Sequence, residues 1–139
     1  MLNQTEPLHR PATASGEFVI EAISARARED RRAVALVSSS AAITYGELED
    51  RANQLARRLQ SLGAGSTRPV GLCLERSADF VIAALAVLKC GAAYLPMDPA
   101  HPAERLQFIA KDAGISLLLT TPALAKPFAG ADIEIRLAL

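Results

Sequence analysis

The most constraining stretch of the chain is Leu88-Lys89-Cys90-Gly91-Ala92-Ala93-Tyr94-Leu95-Pro96-Met97-Asp98-Pro99. It reads as a helix end, a stop and a strand. Residues 81–88 just before and into it are nearly all apolar, so their helix must be buried on most sides. Lys89 falls in the last turn, where a cation complements the negative helix end. Gly91 supplies the left-handed cap. Residues 92–97 are then extended, and Pro96 argues against a fully paired central strand. Asp98-Pro99 closes the segment with a turn.

The rest of the chain alternates in the same way. Residues 1–16 are polar and carry Pro7, Pro11, Ser15 and Gly16; they read as a flexible leader before a folded unit over 17–139. Phe18 begins a helix with Phe18, Ile20, Ala22, Ile23 and Ala27 on its apolar side. The charged run 26–32, interrupted by Glu29 and Asp30, is its solvated end. Residues 33–37 and 41–44 form a hairpin around Ser38-Ser39-Ser40. Those serines have no histidine beside them in sequence, and turn chemistry explains them better than nucleophilic catalysis.

Thr44 and Glu47 form a capping box that starts a helix. Leu48, Ala52, Leu55, Leu59 and Leu62 come next on one face, and Gly63 and Gly65 stop it. Residues 69–74 are apolar without alternation, the pattern of a strand covered on both faces. Ser77 caps the buried helix 78–90. Pro102 fits the first position of the next helix, whose stripe is Leu106, Ile109, Ala110 and Ala113. Residues 115–120 form another apolar strand, 122–128 a short helix and 133–137 a last strand. The expected class is α/β, a layered, mostly parallel sheet flanked by helices.

Composition excludes several functions. Formal net charge is zero and half the residues are hydrophobic, which gives no reason to invoke nucleic acid or an anionic membrane. The longest apolar run is too short to span a bilayer, and the N-terminus lacks a signal pattern, so a cytoplasmic location is expected. Cys73 and Cys90 lack metal-ligand spacing and read as core thiols.

The organising stretch resembles a core motif of the amino-acid adenylation domains of nonribosomal peptide synthetases, with Cys90 where that family usually has Ala. Ile43-Thr44-Tyr45-Gly46-Glu47-Leu48 is similar to the family's first core motif, with Ile for Leu. Pro102-Ala103-Glu104-Arg105-Leu106 resembles the tract that normally comes next in the family. The resemblance covers residues 18–121 and implies the N-terminal portion of the adenylate-forming, acyl-CoA synthetase-like fold. It also implies the parent activity: ATP and Mg²⁺ are used to make an aminoacyl adenylate, and the acyl group passes to a carrier-protein thiol. Met1 and the short leader resemble the start of a polypeptide, as in a loading module.

The parts that would perform this chemistry do not occur in the sequence. There is no Ser/Thr-Gly-x-Thr-Gly-x-Pro-Lys-Gly loop to cradle a triphosphate, and Lys111 and Lys126 have no matching context. In the family that loop would begin beyond Thr121, near or past Leu139. No catalytic, cofactor-binding or metal residue is therefore assigned. His9 and His101 read as exposed loop residues. Asp98 braces its turn, Asp112 sits near a helix terminus, and Glu104 and Arg105 lie in a first turn, with Arg105 expected to pair with a carboxylate.

Three readings remain. The first is an inactive scaffold segment of an adenylation domain. The second is a partner-binding module, with Ala92, Ala93 and Pro96 as an apolar docking surface for an MbtH-like protein, as the resemblance implies. The third is a fragment of an acyl-CoA ligase of the same superfamily; the run from Asp98 to Arg105 favours the peptide-synthetase branch. Apolar area in residues 70–74 and 81–88 that an incomplete domain fails to cover would lead to self-association.

Overall fold

A computed structural model describes residues 18–137. The leader and His9 lie outside them. Helix α1 (Val19–Glu29) is followed by an antiparallel hairpin of β1 (Val34–Val37) and β2 (Ala42–Thr44) with a bulge near Ala35. Then come α2 (Tyr45–Ser61), β3 (Val70–Cys73), α3 (Ala78–Lys89), β4 (Tyr94–Pro96), α4 (Ala103–Asp112), β5 (Leu117–Thr120), a 3-10 turn (Lys126–Phe128) and β6 (Glu134–Leu137). The last four strands form one parallel sheet in the order β4-β3-β5-β6. Pro96 is accommodated because β4 is an edge strand.

The unalternating runs are explained by two separate cores. Val70, Leu72, Leu117 and Leu119 pack with α2, α3 and the hairpin. The intervening Cys73 and Leu118 pack with Leu106 and Ala110 of α4, with Met97 and with Phe128 of the 3-10 turn. Side chains alternate across a strand, so α3 and α4 cover opposite faces and both faces must be apolar. The apolar helix and strand are thus covered from within the chain: Ile82, Leu85 and Val87 are buried, as are Val70, Leu72 and Leu74. The exposed large apolar side chains lie elsewhere, including Val34, Val37 and Phe108.

Local chemistry sets the boundaries. Thr44 Oγ1 accepts from the Glu47 N–H at 3.2 Å, and the Thr44 N–H donates to Glu47 Oε2 at 2.9 Å, which completes the capping box. Ser77 Oγ accepts from the Phe80 N–H. Helix α4 starts one residue later than its sequence suggests: Pro102 is the N-cap, and its carbonyl accepts the Leu106 N–H. The expected short helix at 122–128 is confined to the 3-10 turn. Phe18 and Ala22 do not join the packed side of α1. Phe18 is its exposed N-cap, and Ala27 is the helix's buried residue.

Candidate functional site

Three features are candidates: the α3–β4 junction, the cleft above β3 and β4, and the point between β3 and β5 where the chain's crossovers diverge. At the junction, α3 ends in a Schellman motif. The Gly91 N–H donates to the Leu88 carbonyl at 2.9 Å, and the Ala92 N–H to the Val87 carbonyl at 3.3 Å. This requires Gly91 at φ +73°, a region a Cβ disfavours. The motif turns Ala92 inward beside Val87, where it is 4% exposed. The expected docking set is therefore split by the structure: Ala93 and Pro96 are exposed, and Ala92 cannot present its side chain.

Strand β4 bonds inward through alternate residues. The Ala93 carbonyl accepts from the Val70 N–H, and the Met97 N–H donates to the Leu72 carbonyl, both at 2.9 Å. Tyr94 and Pro96 thus turn their backbone groups to the open edge, where Pro96 has no N–H to give. The Tyr94 ring meets Phe80 of α3 edge-on at 6.4 Å.

Above the carboxyl ends of β3 and β4 lies a cleft of about 640 Å³. Phe80, Pro96, Met97 and Pro99 give it apolar walls, Glu75, Arg76 and Asp98 give it charge of both signs, and His101 also lines it. Asp98 closes its turn as expected: Oδ1 accepts the Ala100 N–H at 2.9 Å. His101 is exposed. Residue-by-residue reading missed the cleft, yet parallel α/β sheets characteristically bind ligands beyond the carboxyl ends of their strands. The crossovers diverge between β3 and β5. That point is closed by Thr120, whose fully buried hydroxyl donates to the Cys73 carbonyl at 2.8 Å.

Among the described residues there is no group of three His, Cys, Asp or Glu able to hold a metal ion. Gly63, Gly91 and Gly114 each come singly after a helix end. The Ser38 hydroxyl is engaged in its turn, donating to the Ala41 carbonyl at 3.1 Å. Arg105 forms no ion pair among the described residues. Burial pushes both thiols, Cys73 and Cys90, above their ordinary range. Both are free, and Cys90 donates to the Ala56 carbonyl at 3.3 Å. No helix among the described residues is long and apolar enough to cross a membrane.

The motif that most needed explaining gains a second role. Lys89 Nζ lies 2.9 Å from Glu49 Oε1 of α2 and 3.2 Å from Ser24 Oγ of α1. Ser24 itself donates to Glu49 Oε1 at 2.7 Å, and Asn53 adds a weaker donor at 3.3 Å. Burial raises the Glu49 carboxyl, but the Lys89 and Ser24 donors outweigh it and hold the group below its ordinary value.

Comparison with known proteins fixes the family. Residues 23–137 match the family model of the AMP-binding enzymes. The chain is 50% identical over 103 residues to a subunit of the linear gramicidin synthase of Brevibacillus parabrevis, covering 74% of this chain and 2% of that protein. It is 46% identical over 110 residues to phosphinothricin tripeptide synthetase PhsC of Streptomyces viridochromogenes, covering 79% of this chain and 10% of that protein. Among solved structures, the nonribosomal peptide synthetase FmoA3 bound to α-methyl-L-serine-AMP superposes with a TM-score of 0.80 at 30% identity, over 86% of this chain and 14% of that one. The chain thus spans a small fraction of each relative. It belongs to the AMP-binding enzyme family and corresponds to part of an adenylation domain of the nonribosomal peptide synthetases.

Proposed function

We propose that the chain is a scaffold segment of an ATP-dependent, amino-acid-activating domain and has no adenylation activity alone. One observation carries this reading: both core motifs are used for folding. Thr44 and Glu47 cap α2, while Lys89 and Gly91 join α3 to α2 and to β4. ATP and Mg²⁺ belong to the full domain, as does transfer to a carrier protein, and this chain contributes the layered sheet on which they depend. A chimera tests the proposal. Residues 18–137 replace the equivalent segment of a working adenylation domain. Pyrophosphate exchange should persist with the host's own amino acid preference. A switch in preference would place specificity residues in this segment.

The partner-docking reading keeps support from the open edge of β4, where Ala93, Tyr94 and Pro96 are exposed. An MbtH-like protein bound there should be lost on Ala93→Asp, and an unchanged affinity would remove the edge from the interface. Self-association would draw on the exposed large apolar side chains, Phe18, Val19, Val34, Val37, Tyr94 and Phe108.

A further inference from the structure

Among the described residues, α1 is the one α-helix that gives no buried residue to either core: α2 and α3 supply the main core, and α4 supplies Leu106 and Ala110 to the other. Helices α2 and α3 each bury six residues, whereas α1 buries Ala27 alone, with Ile20 and Ile23 packed partly against the core. The polar attachment of α1 is concentrated at Ser24. Its hydroxyl donates to Glu49 and accepts from Lys89, so it rests on an ion pair that α2 and α3 already make without it. Glu49 Oε2 is buried without a hydrogen-bond partner among the described residues, so the carboxylate is held through Oε1, where Ser24 is the nearest donor at 2.7 Å. A second, looser tether is Arg26, whose guanidinium stands 6.0 Å from the centre of the Tyr45 ring.

We propose that α1 is a detachable strap, latched by Ser24 onto the Glu49–Lys89 pair, which opens while the α2–α3–sheet core stays folded. Local opening of this kind is expected where few buried apolar side chains hold an element whose removal leaves the core intact. Release uncovers the strip of α2 and α3 beneath Ile20, Ile23 and Ala27 and frees the Ser24 hydroxyl. The ion pair remains as the docking point for reclosure.

Native-state hydrogen exchange on the whole chain, at low and rising denaturant, tests the strap. The amides of residues 23–27 should exchange through an opening that hardly depends on denaturant. Those of residues 55–59 and 82–87 should exchange only through a strongly denaturant-dependent unfolding. Ser24→Ala should raise the opening of residues 23–27 about ten-fold and leave the other two groups unchanged. Ser24→Thr, which keeps the hydroxyl, should restore most of the protection. If α1 shares the denaturant dependence of α3 in the unaltered chain, or if Ser24→Ala speeds all three groups equally, α1 is an integral part of the core and the strap does not exist.

Discussion

Lys89 Nζ lies 2.9 Å from Glu49 Oε1, and the two side chains are 13% and 15% exposed. The lysine of the organising motif therefore clamps α3 to α2 across forty residues of sequence. Lys89→Met should destabilise the chain by about 2–4 kcal/mol, because it leaves Glu49 largely buried and without its cation. The double variant Lys89→Met, Glu49→Leu should recover much of the loss. Urea midpoints decide this, and a single-variant loss under about 0.5 kcal/mol would reduce the pair to an ordinary surface contact.

The same pair sets an acid dependence. The folded carboxyl of Glu49 titrates below its ordinary value of 4.5. Its stabilising contribution is thus fully present above that value and is lost as pH falls through the lower folded value. The stability difference between the unaltered chain and Glu49→Gln should stay constant from neutral pH down to about 4.5 and shrink below it. A difference that holds undiminished to about pH 3 would contradict the assignment.

Gly71 lies inside β3, where a Cβ would come within 2.6 Å of Ile115 Cδ1, 2.8 Å of Met97 Cε and 2.9 Å of Leu118 Cδ1. Three terminal methyl groups must give way at once. Gly71→Ala should cost about 1–3 kcal/mol by overpacking the α4 side of the sheet, although alanine suits a strand better than glycine. A neutral or raised thermal midpoint would show that this core has slack.

Leu55 is 5% exposed on the inward face of α2, and Arg58, at the flank of that face, is exposed. Leu55→Asp should cost several kcal/mol by burying an unpaired charge, on the order of 3 or more. Arg58→Asp should stay within about 0.5 kcal/mol. Equal urea midpoints for the two variants would mean the face is misassigned.

What was legible in the sequence was local. Thr44, Glu47 and Ser77 announce helix starts because capping bonds reach three residues along the chain. Gly91 announces an end because its backbone sign is a property of one residue. The unalternating apolar run at 70–74 correctly implied cover on both faces. The burial of Ala92 is not legible in its composition, because it comes from the Schellman turn. The role of Lys89 was only half legible, since nothing local to it points to Glu49 or Ser24. The cleft over β3 and β4 and the Thr120–Cys73 bond depend on strand order, which no single segment encodes.

We propose that this chain folds as adenylation-domain scaffold and lacks the chemistry itself. Amino-acid-dependent ATP–pyrophosphate exchange tests it most directly, with the purified chain, Mg²⁺ and each amino acid in turn. No exchange above the amino-acid-free blank is the predicted result, from a chain whose circular dichroism shows it to be folded. Exchange stimulated by any amino acid would contradict the account, because a triphosphate and its metal would then have to be held by the residues of this chain alone.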